Sequence, residues 1–210
     1  MKSPKTVKSL EELGRIQLSK SFFMRDFLHS EISQIERIPN IPDNPDLAIE
    51  AGSALCENVL EPIQDALGRI CIRSAYRSCA VNEKGAENRN QYSCSSNESN
   101  YAGHIWDMKD SDGYLGATAC IVVTSFLPYY EKTGDWQALA WWIHDNVPAY
   151  SSICFFPKLA AFNISWHQSP IKRIDSYVIP RGCLTKPEME NNTGDHSDLY
   201  KGYVKSLTHL

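Results

Sequence analysis

The stretch that most constrains this chain runs from about Asp46 to Leu67. Its apolar positions Ala48, Ala51, Leu55, Val59, Ile63 and Leu67 recur at spacings of three and four. That spacing puts them on one face of an α-helix, and a face that long needs a partner surface to cover it. Pro62 predicts a kink, and Gly68 predicts the stop. Just upstream, Pro39, Pro42 and Pro45 predict an extended loop over Ile38–Pro45.

The other segments supply the partner surface. Residues 1–18 read as a polar leader with a short amphipathic segment. Ser21 is a candidate N-cap for a short aromatic helix over Phe22–Leu28. Arg69–Ser74 alternates and predicts a strand. Glu83–Ser99 is rich in Asn and Ser and reads as a long loop. Ile105–Lys109 predicts a second strand, turning at Asp110–Gly113. A helix is expected over Leu115–Tyr130, and another over Trp136–Asp145 capped by Asp135. Ser151–Phe156, Ala161–His167 and Ile174–Ile179 read as strands, and the tail after Pro180 as polar and irregular. Helices first, then strands mixed with helices, predict one α+β domain with a small antiparallel sheet packed against several helices. Its core is expected over about 18–180, with residues 181–210 as a tail.

Charge and composition exclude several classes. The net charge is −4 and the pI is near 5.9, without a basic stripe, so nucleic acid is not the expected partner. No apolar run reaches the ~20 residues of a membrane helix. Met1–Lys5 starts basic but no apolar core follows, which predicts a cytoplasmic protein. The seven cysteines are odd in number and form no Cys-x-x-Cys pair, which predicts reduced thiols rather than a disulfide framework. The Asn-x-Ser/Thr matches at Asn97, Asn163 and Asn191 are then accidental.

Chemistry concentrates in Ser99–Met108. His104 and Asp107 lie three residues apart, and imidazole plus carboxylate is a first set of ligands for a divalent metal. His167 is the candidate third ligand. On an ideal strand His104 and Asp107 would face opposite ways, so joint coordination requires His104 on the loop before the strand, or a bulge. Along Ala161–His167 the alternation puts Asn163, Ser165 and His167 on one face and Ile164 and Trp166 on the other. The polar trio would then line a cleft. Arg77, beside Tyr76 after a strand, suits a carboxylate clamp. His144 reads as a helix C-terminal residue, and His196 as part of the polar tail. No Gly-x-Ser-x-Gly elbow or phosphate loop is present.

Several of these segments together resemble the M15 peptidases, the D-alanyl-D-alanine carboxypeptidase and endolysin group. The carriers are Leu18-Ser19-Lys20-Ser21-Phe22 with Asp26-Phe27, Asn40-Ile41-Pro42, Leu55–Pro62, and Ser74-Ala75-Tyr76-Arg77-Ser78 followed by Asn82 and Gly85. The likeness covers about Leu18–His167 and implies a Hedgehog/DD-peptidase-like fold. It also implies zinc held by a His-x-x-Gly-x-x-x-Asp segment and a later His beside a Trp, with a Glu as general base. Gly103, Asp107 and His167 match that pattern, and Arg77 matches the arginine that steadies substrate or oxyanion. Asn100 stands where the first histidine belongs, and Asn163–His167 contains no carboxylate. His104 is the available replacement ligand.

The chain is thus expected to be a metal-dependent enzyme with His104, Asp107 and His167 around one divalent ion, zinc first and iron(II) as the alternative. Arg77 would serve catalysis, with Arg77, Tyr76, Asn100, Asn163 and Ser165 binding substrate. The expected reaction is hydrolysis of an amide or peptide bond in a small carboxylate-bearing molecule. Two other outcomes are a repurposed non-haem iron enzyme and an inactive binding module on the same scaffold.

Overall fold

The computed structural model describes residues 1–87 and 89–207; Asn88, within the expected loop, and the last three residues of the expected tail lie outside them. Helices α1 (Val7–Gly14) and α2 (Glu31–Glu36) lead into α3 (Pro45–Leu55) and α4 (Glu61–Leu67). Strand β1 (Ile70–Ser74) follows, then α5 (Cys79–Glu87) and α6 (Arg89–Tyr92). Strand β2 (Gly116–Val123), α7 (Leu127–Thr133) and α8 (Gln137–Asn146) come next. The chain closes with β3 (Tyr150–Phe155), β4 (Phe162–His167), β5 (Arg173–Ser176), β6 (Gly182–Thr185) and α9 (Ser197–Leu207).

The expected helix over Asp46–Leu67 is α3 and α4 joined by a π-turn at Cys56–Leu60. Asn44 caps its start, its side chain accepting from the Leu47 amide at 3.4 Å, with Pro45 in the first turn. Pro62 has no N–H to give, and the wider turn just before it absorbs that loss without breaking the rod. Gly68, at φ 82°, ends it. The buried face carries Ala48, Ala51, Leu55, Val59, Ile63 and Leu67, as the spacing predicts. Gly52 is needed on that face, because a Cβ there would lie 2.8 Å from Cζ3 of Trp106.

Six strands form one sheet in the order β1-β2-β4-β3-β5-β6. All pairs are antiparallel except β3 with β5, so the sheet is mixed and larger than the small antiparallel sheet expected. The α+β class holds. Half of the helix expected over Leu115–Tyr130 is strand β2, buried at all eight residues, and the α-helix there begins only with α7. A continuous apolar run reads equally well as helix or central strand, and here β1 and β4 cover both of its edges.

Three further expectations are corrected. Ile105–Lys109 is no strand but an isolated bridge from Ile105 to Tyr101 followed by a turn, because Ile105 and Trp106 are both buried and break the alternation a strand needs. The polar stretch after Glu83 is not all loop. It completes α5 and contains α6, and the first turn of α5 is set by the Ser78 hydroxyl accepting from the Val81 amide at 3.3 Å. The tail is not irregular either. It forms β6 and α9, and the core cluster extends from Leu13 to Tyr203, past both ends of the expected core. Tyr203 meets Phe126 edge-on at 4.8 Å.

The N-terminal segment is tied down by one carboxylate. Buried Glu61 accepts from the Ser19 hydroxyl at 2.7 Å, the Ser21 amide at 2.7 Å and the Ser21 hydroxyl at 2.9 Å. Ser21 therefore serves Glu61, while Asp26 caps the short turn Met24–Phe27 by accepting from the Phe23 amide. Glu61→Ala is expected to lower unfolding stability by about 2–4 kcal/mol, since it strands these donors, and Glu61→Gln by less than half of that. Urea denaturation monitored by circular dichroism measures both.

Candidate functional site

Three adjacent strands build one polar floor. In the β2–β4 register Gly116 pairs with His167, Thr118 with Ser165 and Cys120 with Asn163. The intervening pairs, Ala117 with Trp166 and Ala119 with Ile164, turn to the core. On the other side Cys154 of β3 pairs with Asn163. The alternation read from the sequence therefore does what it predicts: Asn163, Ser165 and His167 line a cleft of about 490 Å³ with Thr118, Ser152 and Cys154.

The segment Ser99–Met108 forms the opposite wall. It packs across β2 through the Thr118 amide donating to the Gly103 carbonyl at 2.9 Å and the Trp106 indole donating to the Thr118 carbonyl at 3.2 Å. Gly116 permits that approach, because a Cβ there would stand 2.1 Å from the Ala102 oxygen and 2.7 Å from the His167 ring.

His104 lines this cleft and is held from behind. Its backbone carbonyl accepts from the Arg77 amide at 2.8 Å, and its Nδ1 donates to the Ala75 carbonyl at 2.7 Å. That fixes the tautomer, leaving Nε2 with its lone pair. Nε2 has no hydrogen bond among the described residues, and His104 lines both this cleft and a neighbouring cavity. Burial first, and the Arg77 charge second, push the His104 pKa down to about 3. The ring is neutral at ordinary pH.

Asp107 points elsewhere. Its Oδ2 accepts from the Asp43 amide at 2.8 Å and the Asn44 amide at 3.2 Å, and its Oδ1 from the Tyr76 hydroxyl at 3.2 Å. It is not among the residues lining the cleft. Burial raises its pKa against the pull of those donors, and burial together with the Asp107 charge raises that of Tyr76. His167 Nε2 sits 3.0 Å from Asp110 Oδ2, while its Nδ1 lies 2.8 Å from the Ser169 carbonyl and 3.0 Å from the Ser169 amide. The Tyr114 amide, and then His167, hold Asp110 below the usual carboxylate range. Asn100 reaches the cleft wall but gives its amide N–H groups to the Ser95 and Ser96 carbonyls.

Arg77 and Tyr76 line a second cavity of about 470 Å³ that shares His104 and Asn163 with the first. Arg77 Nη1 donates to Asn82 Oδ1 at 3.0 Å and to the Cys94 sulfur at 2.7 Å. Its desolvation lowers its pKa from an ordinary value high enough to leave the guanidinium charged. The seven cysteines are all free thiols.

The structure thus brings His104, His167, Asn100, Asn163 and Ser165 to one cleft and Arg77 and Tyr76 to its neighbour. It does not bring His104, Asp107 and His167 together as ligands. Among the described residues one group can hold a metal ion: His144, Asp145 and His196, with one ligand atom from each lying within 4.8 Å of the others. Sequence reading missed it because His196 is distant in the chain and its tail was expected to be irregular. Asp110 was also missed as the partner of His167; its turn was legible, but which histidine it faces depends on the β2–β4 register.

His104 binds its proton far less readily when folded than when unfolded, where its pKa is near 6.5. The unfolded chain therefore binds the extra proton between about pH 6.5 and pH 3. The His104 contribution is present in full above pH 6.5 and is lost as pH falls through that window, at up to ~1.4 kcal/mol per pH unit. Chemical denaturation from pH 7 to pH 4 is expected to give a slope that is shallower by about that amount in His104→Gln.

Compared with family models, curated proteins and solved structures, the chain matches none.

Proposed function

We propose that the chain is a binding module on an M15-like scaffold, whose cleft takes a small ligand rich in amide or hydroxyl groups, of peptide or saccharide type. The observation that carries this reading is the direction of Asp107: both of its oxygens serve Asp43, Asn44 and Tyr76 instead of the cleft. The cleft is lined by the Ser99 hydroxyl, by the Ser152 and Ser165 hydroxyls, 2.6 Å from each other, by the Asn163 amide, by His104 and by His167, which Asp110 engages. Such groups pair with neutral polar ligands at modest net cost of desolvation. Tyr101 and Tyr114, also in the lining, supply flat apolar surface for a sugar ring or peptide plane. Arg77 in the adjoining cavity would take a terminal carboxylate.

One observation favours the enzyme reading as the second. His104 lines the cleft with its Nδ1 fixed on a backbone carbonyl and its Nε2 without a hydrogen bond among the described residues, which suits a metal-ligating imidazole. With its pKa near 3 it is a poor general base, so it would serve as ligand or hydrogen-bond acceptor. Hydrolysis would then need zinc, or iron(II) for redox chemistry, recruited near His104 and His167, with the ion lowering the pKa of its bound water.

Chemical-shift titration with N-acetyl-D-alanyl-D-alanine and with N-acetylglucosamine tests both readings, alongside product analysis with and without added zinc. Binding is expected to move the His104, Asn163 and Ser165 signals for at least one probe, with no product. Product that forms only with zinc and is lost in His104→Gln would replace the binding module by the hydrolase. No shift at any cleft residue with either probe would remove the cleft as the binding site.

A further inference from the structure

The pair of histidines that the cleft does not use lies where α8 ends. His144 and Asp145 occupy the last turn of α8, and His196 sits just before α9. Asp145 grips His196 twice, its Oδ2 accepting from the His196 amide at 3.0 Å and its Oδ1 facing Nδ1 at 2.7 Å. The other nitrogen of His196 faces the Asn191 carbonyl at 3.1 Å. Nε2 of His144 faces the next carbonyl, Asn192, at 3.1 Å, and its Nδ1 meets the Tyr150 hydroxyl at 2.5 Å. The His196 ring lies flat on Trp141, with centroids 4.2 Å apart and planes 13° apart.

The polarity of this cluster has a consequence. A neutral imidazole has one N–H, yet both nitrogens of His196 face acceptors, a carboxylate and a carbonyl. Around the two rings stand Asp145, two consecutive backbone carbonyls and the C-terminal end of a helix, which carries partial negative charge. While the Lys172 ammonium, over the Tyr150 ring, is the cation that acts on His144, a neutral His196 leaves one of its two acceptors in want of a donor. A second ring proton meets that demand, and so does a cation. Two imidazoles and one carboxylate, with a ligand atom from each within 4.8 Å of the others, fit a borderline first-row ion of zinc type better than calcium or magnesium, which prefer oxygen.

We propose that His144, Asp145 and His196 form a zinc-type metal site that fastens the C-terminal segment to α8. The ion takes one nitrogen of each imidazole in place of the proton or hydrogen bond there, and the other nitrogen of each ring keeps its present partner. The consequence is structural. The segment from Thr185 to α9 is also held by the buried Thr185 and Tyr203, by Tyr200 and Leu207 against the core, by the packing of α9 on α8, and by polar contacts from Asn191 and Asn192. A metal bound only in the folded state adds to its stability in proportion to the logarithm of metal over Kd. The site is separate from the cleft, and its existence does not depend on what the cleft binds.

The test is metal uptake by the full chain, purified without affinity metal and stripped by dialysis. Zinc titration followed by calorimetry is expected to give one ion per chain, and cobalt(II) to give a visible d–d band of low-symmetry coordination that zinc displaces. At a hundred-fold excess over Kd, Tm is expected to rise by roughly 5–10 °C. His196→Gln, His144→Gln and Asp145→Asn should each weaken zinc binding at least a hundred-fold, whereas His29→Gln, on the exposed surface, should not change it. Should a triad variant fold poorly, histidine ¹H–¹⁵N spectra of the wild-type chain still decide the matter, because zinc must shift the ring nitrogens of His144 and His196. No uptake, uptake unchanged in all three variants, or ring signals that report only a doubly protonated His196 at saturating zinc would overturn the site.

Discussion

The Asp107 carboxylate is the interaction on which the site region depends. It joins three separate parts of the chain: the loop that enters α3, through the Asp43 and Asn44 amides; the segment after β1, through Tyr76; and its own wall of the cleft. Each of those donors would be costly to bury alone, and one carboxylate answers all of them. Trp106, next in the chain, then drops between Gly52 of α3 and the rings of Phe27 and Tyr76. The wall that carries His104 is therefore fixed by its neighbours on both sides, by a charge behind and an indole below.

This explains why the residues expected to share a metal do not meet. A ligand carboxylate must keep an oxygen toward the ion, and Asp107 has its oxygens on backbone amides and a phenol instead. Asn100, at the position where the M15 resemblance implies a histidine, likewise turns its amide onto the Ser95 and Ser96 carbonyls. What is left facing the cleft is neutral His104, the His167–Asp110 pair, Asp112 and a row of hydroxyls and amides.

Much of this was legible in the sequence where a local rule decides the outcome. The buried face of α3 and α4, the start of β1, the capped α8 and the polar face Asn163–Ser165–His167 all follow from spacing alone. The failures lie where long-range packing decides. Gly116–Val123 is strand because β1 and β4 flank it, a fact no window of sequence contains. Ile105 and Trp106 are both buried, so the period a strand needs is absent even though the composition suggests one. The tail reads as polar because α9 buries mainly Tyr203, and a single aromatic gives no periodic signal. For the same reason the meeting of His196 with His144 was invisible: it requires a tail that folds back onto α8.

The central claim is that Asp107 is a tether between backbone segments and not a metal ligand, and side-chain replacement measures it most directly. An asparagine at this position can still accept the Asp43 and Asn44 amides through its oxygen and can face the Tyr76 oxygen with its NH₂. An alanine leaves all three donors without a partner. Denaturation of Asp107→Asn and Asp107→Ala in metal-free buffer should therefore give a loss under about 1.5 kcal/mol for the first and about 3 kcal/mol or more for the second. Equal losses, or a metal-free Asp107→Ala as stable as the parent while zinc no longer stabilises either variant, would contradict the account and return Asp107 to the metal.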